Sequence, residues 1–538
     1  MPKKSKGIVM YLAMFGLLIA LLFAMMSLDK PVSTLKYYQV LDYFKQGEVA
    51  EYQIDYNSRT LTLRLEGKDQ LVDYQLASIP QFNEDIKPYI EQYEQTNDTT
   101  FKRNYLPAKE PSLLATLLPT LLLLGGMALL TIVPRQVLGG PKFTAPSDQL
   151  TKGIIGVGGI GKSSYHFTSN KDCRLVAVCD VDRKHLESAV ALGQKKFGET
   201  LEDYSDFRRL ITDPNIDIVH IATPPHWHGI MAVEAAKAGK DIWCEKPMTR
   251  TIGEGKRVKE AVERNGNIFR LNTWFRFTDT FYGMNTTVDK IKKLVDSGML
   301  GWPLKVTISK HTGFDWKFFW VGQPQLEEMK VPAELDYDMW LGPAPYKPYN
   351  PHRVHGTFRG YWDYDAGGLG DMGQHYIDPV QYLLGKDDTS PVSVEIDAPQ
   401  QHPDAVGTWR KIEYTYDDGC KIVLWGEDNG DPNDAYIEGP NGKLYRNFRC
   451  DIPDWEAKLA EYPDPMPQQT DFLDCVRTRR KFALNEQNGF RSATIVNMGA
   501  VALRLGRSLR FDPEKLQFID DDAANRLIDQ PMRAPWTI

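Results

Sequence analysis

Gly156-Val-Gly-Gly-Ile-Gly-Lys-Ser163 is the stretch that decides the fold of this chain, because it matches two phosphate-binding patterns at once. Read as G-x-G-x-x-G, with Gly156, Gly158 and Gly161, it predicts a dinucleotide-binding turn. Read as G-x-x-x-x-G-K-S, it predicts a Walker A loop that holds a nucleoside triphosphate. The first interpretation indicates hydride transfer and the second indicates phosphate hydrolysis, so the flanking sequence must decide.

The segments around the loop favour the dinucleotide interpretation. A short apolar strand at 153–157 leads into the glycines, and a helix is expected to follow them. A second apolar strand then ends at Asp180, where a carboxylate can accept hydrogen bonds from both hydroxyl groups of a ribose. Strands at 216–222 and 241–244 alternate with a helix-like segment. This alternation predicts a doubly wound parallel sheet.

The predicted cofactor is therefore NAD, which is favoured over NADP because Asp180 would repel a 2′-phosphate. Under this interpretation Lys162 and Ser163 are ordinary residues of a first helical turn. A P-loop ATPase stays open as an alternative, since Asp180 could also serve as the magnesium-binding acid of a Walker site.

Composition restricts the possible partners. The 538 residues allow about three or four domains, and the net charge of −7 comes without a long basic block, so nucleic-acid binding is not predicted. The six cysteines are scattered after residue 150 and are interpreted as reduced thiols. His226 and His228 could chelate a metal as H-x-H, but no acidic or thiol partner lies nearby in the sequence, so no metal site is predicted.

The N-terminal part predicts a membrane anchor. Residues 8–27 and 112–133 are uncharged apolar runs, each of about 20 residues and long enough to cross a bilayer. Lysines before the first run, with Arg135 and Lys142 after the second, predict that both ends face the cytoplasm. A cleaved signal peptide is the alternative for the first run. The predicted location is a two-pass membrane protein with a cytoplasmic catalytic part, or a cytoplasmic protein if the anchor is a fusion artefact.

Residues 29–111 alternate in strand fashion and carry helix-like stretches, which predicts a small α+β domain. With the two apolar runs, the stretch 32–44 and the Gly47-Glu-Val that follows it resemble the N-terminal region of the FtsH membrane-bound AAA proteases. That resemblance ends near residue 138. No H-E-x-x-H motif follows, so proteolysis is not predicted. The junction is either natural or a product of engineering.

Two downstream motifs extend the argument. Glu245-Lys246-Pro247 follows the fourth strand at the edge where open α/β sheets bind ligands, and Gly367 to His375 form a glycine-rich stretch. Together with the glycine loop and Thr223-Pro-Pro-His-Trp-His228, they resemble the Gfo/Idh/MocA oxidoreductases from about residue 151 to the C-terminus. The resemblance implies a Rossmann domain followed by an α/β domain with an open, mostly antiparallel sheet that commonly mediates homo-oligomer formation. It also implies a sugar, sugar derivative or cyclitol as substrate.

The predicted organisation thus has six parts. They are transmembrane helices at 1–28 and 112–134, an α+β domain at 29–111 between them, a linker at 135–150, the NAD-binding domain at 151–272 and the substrate and oligomerisation domain at 273–538. The residues predicted to bind the cofactor are Gly156, Gly158, Gly159, Ile160, Gly161, Asp180, Thr223, Pro224, His228 and Glu245.

The chemistry predicts three catalytic residues. Oxidation of a secondary alcohol needs a base for the hydroxyl proton, and histidine titrates in the right range. Asp371 and His375 are four residues apart, so on a helix they share a face and the carboxylate can orient the imidazole. Lys246 can donate to the substrate oxygen and stabilise developing alkoxide charge. By resemblance, Lys246, Asp371 and His375 match the family's catalytic lysine, aspartate and histidine.

Three further residues are predicted to contact substrate. Arg276 falls where the family often has an arginine near the active site, although its surroundings depart from the usual motif. Trp362 and Tyr364 precede the catalytic glycines and can stack on a sugar ring. The aromatic residues at 314–320 are interpreted either as core or as the lining of a sugar site.

Three alternative functions remain open at this point. One is a redox-assisted glycoside hydrolase or epimerase-like enzyme that keeps NAD bound. The others are a non-catalytic, NAD-binding regulator at the membrane and the P-loop ATPase.

Overall fold

The structure is a computed structural model and describes residues 35–69, 71–107, 148–278 and 280–538. Its contacts divide the chain into two units, Met1–Val133 and Pro134–Ile538.

In the first unit, two helices pack with a four-stranded sheet whose strand order is β3-β2-β1-β4. The pairs are antiparallel except β1 with β4, which is parallel. Phe44, Tyr52 and Phe82 lie at the centre of its core with their rings edge to face. The elements are α1 (Tyr37–Lys45), β1 (Val49–Asp55), β2 (Thr60–Leu65), β3 (Leu71–Gln75), α2 (Ile79–Asn97) and β4 (Lys102–Leu106).

None of the helices within residues 35–69, 71–107, 148–278 and 280–538 is long and apolar enough to cross a membrane. Even the 19-residue helix α2 carries Glu84, Asp85 and Lys87. This finding contradicts the prediction of a two-pass membrane protein with a cytoplasmic catalytic part. The two apolar runs that prompted it, 8–27 and 112–133, lie outside the described residues.

The second unit begins with a six-stranded sheet in which every pair is parallel. Its strand order is β7-β6-β5-β8-β9-β10, the 3-2-1-4-5-6 order of a Rossmann fold, so β5 and β8 meet where the winding reverses. The predicted Rossmann sheet is therefore confirmed. The strands are β5 (Leu150–Ile155), β6 (Cys173–Cys179), β7 (Glu202–Tyr204), β8 (Ile218–Ile221), β9 (Asp241–Glu245) and β10 (Phe269–Asn272).

Capped helices connect most of these strands. In the helix Arg183–Phe197, the side chain of Asp182 caps the N-terminus and Gly198 ends the helix with a φ of 69°. In the helix Ile252–Asn265, Thr251 caps the N-terminus and Gly266 ends the helix with a φ of 68°. The helices are α3 (Arg183–Phe197), α4 (Phe207–Thr212), α5 (His228–Lys237) and α6 (Ile252–Asn265).

The helix expected directly after the glycine loop is absent from the described residues. Only a single 3₁₀ turn forms there, at Ile160–Lys162, and turns follow it as far as β6. Ser163, Ser164 and Thr168 lower the helix propensity of this segment, although the hydroxyl of Ser163 has no hydrogen-bond partner among the described residues. Lys162 and Ser163 are accordingly not first-turn residues of an α-helix.

The rest of the unit is built on a nine-stranded sheet with the order β17-β16-β15-β11-β14-β13-β12-β18-β19. Its paired strands are antiparallel except β11 with β14. The strands are β11 (Lys305–Ile308), β12 (Ser393–Asp397), β13 (Lys411–Thr415), β14 (Lys421–Trp425), β15 (Ile437–Gly439), β16 (Gly442–Tyr445), β17 (Arg449–Cys450), β18 (Leu509–Asp512) and β19 (Gln517–Phe518).

Two long helices connect this sheet to the Rossmann part. The helix α9 packs on α12, and α12 packs on α6. Nearly every residue of α9 is buried, so side chains on this helix have fixed positions beside the Rossmann sheet. The helices of this part are α7 (Val288–Asp296), α8 (Tyr337–Leu341), α9 (Gly367–Leu383), α10 (Trp455–Ala460), α11 (Phe472–Thr478), α12 (Glu486–Leu505) and α13 (Asp522–Ile528).

Candidate functional site

Two of the three glycines of G-x-G-x-x-G, Gly156 and Gly161, are required by a close approach of backbone. Gly156 has a φ of 89°, and a Cβ on it would lie 2.6 Å from the carbonyl oxygen of Ala222 at the end of β8. A Cβ on Gly161 would lie 2.0 Å from the oxygen of Gly156, and one on Gly158 would lie 3.2 Å from the ring of His185. A side chain at Gly156 or Gly161 would disturb the loop, whereas one at Gly158 would require a small shift of the His185 ring.

A groove of about 380 Å³ opens above this loop, at the reversal point between β5 and β8. Of the predicted cofactor residues, the groove is lined by Gly156, Gly158, Gly159, Ile160, Asp180, Thr223 and Pro224. Gly161 lies beneath them and is buried.

The groove fits a dinucleotide. Within the described chain, the backbone N–H groups of Gly158 and Gly159 donate to no protein acceptor, so they are available for a pyrophosphate. Asp180 lies at the end of β6 on the groove wall. Its carboxylate accepts from the backbone N–H groups of Val157 at 2.8 Å and Asp182 at 2.9 Å, which fixes its orientation.

The opposite wall comes from the C-terminal part of the chain. His355, Gly356, Phe358 and Arg359 line the groove there. The His355 ring meets the His185 ring edge to face at 4.8 Å. The dinucleotide groove is thus formed by both parts of the second unit.

The predicted catalytic side chains converge at the end of β9 and on α9. The Nζ of Lys246 donates to the backbone oxygen of Asp371 at 2.6 Å and to its Oδ1 at 2.9 Å. Two further cations hold the same carboxylate: the Nε of Arg359 donates to Oδ1 at 2.8 Å and the Nζ of Lys317 donates to Oδ2 at 3.0 Å.

This surrounding fixes the charge of Asp371. Burial by itself would raise the pKa of the carboxyl, but Lys246, Arg359 and Lys317 together hold it well below its usual range. Asp371 is therefore ionised over the whole physiological range. Its negative charge in turn holds the ammonium group of Lys246 in place.

His375 lies one helical turn after Asp371 and is 8% exposed. Its ring packs edge to face on Phe275 at 4.4 Å, and its Nδ1 has no hydrogen-bond partner in the part of the chain that the structure describes. Burial lowers the pKa of His375 well below its ordinary value, and the positive charges of Lys246 and Lys317 act in the same direction. The imidazole is therefore neutral at neutral pH and can accept a proton.

The predicted contact between Asp371 and His375 differs from the structure. Both carboxylate oxygens accept from the three cations, and no hydrogen bond joins them to His375 among the described residues. The i, i+4 spacing does place the two residues on one helix face. The stronger electrostatic attraction of three nearby cations determines where the carboxylate points.

Two predicted cofactor residues face away from the groove. Glu245 is 5% exposed, and its Oε1 accepts from the Nδ2 of Asn272 at 2.8 Å and lies 3.3 Å from His220 and 3.5 Å from His166. His228 is fully buried, and its ring nitrogens contact the carbonyl oxygens of Pro247 and Thr223 at 2.7 and 2.8 Å. Both predictions of a cofactor contact are corrected, because His228 joins the loops after β8 and β9 and Glu245 belongs to a buried polar cluster.

The three predicted substrate residues are also buried elsewhere. The Arg276 guanidinium donates to Asp378 and Asp387 and is 2% exposed, so its role is structural. The Nε1 of Trp362 donates to the carbonyl oxygen of His402, and Tyr364 packs between His226 and Trp340. These two rings are 3% and 0% exposed, which leaves no face for a sugar.

Lys317 and Arg359 are the residues that sequence reasoning missed. Each is a single cation within an aromatic stretch, Trp316-Lys-Phe-Phe-Trp320 and Phe358-Arg359, and that pattern was the available signal. In the aromatic segment, Phe314 and Trp316 are buried core residues, whereas Phe319 is 69% exposed. The core interpretation of 314–320 thus applies to Phe314 and Trp316, and the sugar-site interpretation stays a prediction.

The structure does not support the interpretation of the glycine loop as a Walker A motif. Lys162 donates to the hydroxyl of Ser188 on the surface of α3 and not into the loop. The helix that a Walker A motif would open is absent from the described residues, and the strand order is that of a Rossmann fold.

Comparison with known proteins agrees with this geometry. Residues 150–273 match the oxidoreductase family model described as an NAD-binding Rossmann fold, and residues 284–538 match the same family's C-terminal alpha/beta domain. Neither family model extends before residue 150.

Among curated relatives, the inositol 2-dehydrogenase of Salmonella paratyphi B is 32% identical over 159 residues, which are 29% of this chain and 44% of the relative. The myo-inositol 2-dehydrogenase of Thermotoga maritima is 31% identical over 197 residues, 35% of this chain and 51% of the relative. The chain thus spans about half the length of these curated relatives or less.

A similar solved structure is that of the WlbA dehydrogenase from Bordetella pertussis in complex with NADH and UDP-GlcNAcA. It is 19% identical, with a TM-score of 0.47, and the match covers 68% of this chain and 99% of that one. On the two family matches and the Rossmann strand order, this chain belongs to the Gfo/Idh/MocA oxidoreductase family, with an NAD-binding Rossmann fold followed by the family's C-terminal alpha/beta domain.

Proposed function

We propose that this protein is an NAD-dependent dehydrogenase that oxidises a CH–OH group of a sugar, sugar derivative or cyclitol. The observation that supports it most is the convergence of Lys246, Asp371 and His375 next to a groove that fits a dinucleotide. Arg359 connects the cluster of catalytic residues to the groove, since it lines the groove and also donates a hydrogen bond to Asp371. The inositol dehydrogenases among the relatives support the substrate class.

The proposed roles follow from the geometry. NAD, when bound, supplies the acceptor for the hydride that leaves the carbinol carbon. His375, neutral at neutral pH, takes the proton of the substrate hydroxyl. Lys246 uses two of its N–H donors on Asp371, which leaves the third for the substrate oxygen, where it stabilises developing alkoxide charge. Asp371 is the positioning residue for Lys246.

Replacement of His375 by alanine tests this assignment. With NAD and a panel of inositols and aldoses, we expect NADH formation to fall by roughly 10²- to 10⁴-fold, because the proton acceptor is lost. The dissociation constant of NAD should stay nearly unchanged, since His375 does not line the groove. The measurements are the absorbance of NADH and a direct NAD binding titration.

The matched control is His311→Ala, which removes a histidine outside this cluster and should change neither quantity. Loss of NAD binding in His375→Ala would show that the assigned role is wrong. Conversion of substrate without net NADH would instead favour the redox-assisted hydrolase or epimerase-like alternative.

Three predictions about organisation remain proposals. They are the domain boundaries 29–111, 151–272 and 273–538, the homo-oligomer formed through the open nine-stranded sheet, and the resemblance of residues 32–44 and the Gly47-Glu-Val after them to the FtsH N-terminal region.

A further inference from the structure

The candidate site holds more positive charge than the proposed chemistry needs. Lys246, Lys317 and Arg359 surround the single carboxylate of Asp371 at 2.8 to 3.0 Å. Lys246 is needed to stabilise alkoxide charge, and one carboxylate balances one cation. The charges of Lys317 and Arg359 are therefore not balanced by this cluster.

The neighbouring titratable groups do not remove this excess. His375 is neutral at neutral pH because burial lowers its pKa. Asp365, the other nearby acid, is 5% exposed, and burial raises its pKa to about 7. The site thus keeps a positive excess of between one and two charges near neutral pH.

The two unbalanced cations retain free donors. The Lys317 side chain is 43% exposed, and its Nζ has one partner, the Oδ2 of Asp371. In Arg359, Nε donates to Asp371 and Nη1 donates to the carbonyl oxygen of Gly356, while Nη2 has no acceptor among the described residues. The rings of Trp320 and Phe358 lie 5.0 and 4.7 Å from this guanidinium and fix its plane.

The cofactor does not account for both cations. Arg359 lines the dinucleotide groove, so a cofactor phosphate could engage it, but Lys317 does not line that groove. The Lys317 side chain is 43% exposed and holds its ammonium on Asp371, beside the proposed catalytic residues and outside the groove. The charge of Lys317 therefore points to the substrate.

We propose that the substrate is a carboxylate-bearing sugar or cyclitol, of the uronic acid class, and that Lys317 and Arg359 bind its carboxylate. A group with one negative charge and two oxygens can accept from the ammonium of Lys317 with one oxygen and from the Nη2 of Arg359 with the other. The inference rests on the proposed dehydrogenase function and specifies its substrate class.

The test compares each acid with its neutral amide. The purified full chain with NAD is given D-glucuronate, D-galacturonate and the corresponding uronamides, and kcat/KM is measured from NADH formation. Binding of the same four compounds to the NAD-loaded protein is measured by calorimetry, which needs no turnover. For at least one uronate, we expect both kcat/KM and the binding affinity to be roughly 10- to 100-fold higher than for its amide. That factor corresponds to a hydrogen bond to a charged group.

Lys317→Gln should remove most of that preference, so that the ratio of uronate to uronamide falls by the same factor in binding and in kcat/KM, whatever change in rate both compounds share through the contact of Lys317 with Asp371. The matched control is Lys310→Gln, seven residues earlier on an exposed position, and it should change neither compound. Arg359→Gln should weaken uronate binding to protein saturated with NAD, and saturation is needed because Arg359 also lines the dinucleotide groove.

Several outcomes would overturn the inference. These are equal values for both uronates and their amides, an equal loss for acid and amide in Lys317→Gln, or binding of neutral sugars without binding of either uronate. If neutral polyols are oxidised and uronates show no preference, the dehydrogenase function stands and only the substrate class fails. Uronate binding that depends on Lys317, without NADH formation from any compound, would retain the substrate class and reject the dehydrogenase function.

Discussion

Glu245 and Lys246 are neighbours in the sequence, yet their side chains lie in two different clusters. Glu245 lies in a buried group with His166, His220 and Asn272, whereas the ammonium of Lys246 lies on Asp371. Successive side chains at the end of a strand leave in opposite directions. A short motif at a strand end can therefore supply one structural and one chemical residue.

The two carboxylates of this comparison have opposite electrostatic surroundings. Three cations hold the pKa of Asp371 well below its usual range, against the effect of burial. In Glu245 burial dominates and raises the pKa to about 7, although Lys246, Asn272 and Arg270 oppose it. The number of direct charged partners, and not burial alone, separates a permanent anion from a group that titrates near neutrality.

Replacement of Lys246 by methionine should give the largest effect on the chemical side of the comparison. We expect kcat to fall by roughly 10²- to 10³-fold, the loss that follows removal of one donor to a developing oxyanion. The free energy of unfolding should change by about 1 kcal/mol or less, because Asp371 keeps Arg359 and Lys317 as partners. The measurements are steady-state kinetics and urea denaturation. A large loss of stability with little loss of kcat would place Lys246 with the structural cluster instead.

Replacement of Glu245 by glutamine should affect stability and its pH dependence. The pKa of Glu245 is raised in the folded state, so its favourable contribution is complete below the unfolded pKa near 4.5 and is lost as pH rises through about 7. Relative to Glu245→Gln, the wild-type free energy of unfolding should therefore fall by about 3 kcal/mol between pH 4.5 and 7.5. Urea denaturation over this range measures it.

The control for that series is Glu187→Gln, since the Glu187 side chain is 70% exposed. It should leave the pH profile of the wild type unchanged. If the free energies of unfolding of the wild type and Glu245→Gln change in parallel with pH, the carboxyl of Glu245 is not held in its protonated form by the fold.

The smallest effect is expected in the pH profile of activity. Because burial lowers the pKa of His375, its neutral form predominates at and above pH 6.5, and the acid limb of kcat/KM should lie below that value. Asp371 is ionised throughout and should add no limb above pH 4. An acid limb above pH 7 would contradict the neutral state assigned to His375, and Glu187→Gln serves again as the control.

Local patterns predicted a good part of this site. The glycine spacing, the acid at the end of the second strand and the residue types after β9 each reflect a requirement that acts over a few residues. Gly156, for example, must be glycine because a Cβ would meet the carbonyl of Ala222. The parallel sheet followed from the alternation of strands and helices, since parallel strands need crossover connections.

The failed predictions share a different origin. Arg276 resembled a substrate residue until Asp378 and Asp387, about a hundred residues later, enclosed its guanidinium. Trp362 and Tyr364 are aromatic residues before a catalytic stretch, but packing against distant segments left them no exposed face. The helix expected after the glycine loop is replaced by a single 3₁₀ turn at Ile160–Lys162.

The sequence by itself determined the Rossmann sheet, the dinucleotide loop and the identity of Lys246, Asp371 and His375 as candidates. Only the tertiary structure decided that Lys317 and Arg359 join them, that Glu245 and His228 leave the groove, and that Asp371 faces cations and not His375. The physical reason is the separation along the sequence over which each effect acts. Backbone geometry and periodicity act between near neighbours, whereas the position of a charge depends on all the charges that the fold brings within a few ångströms.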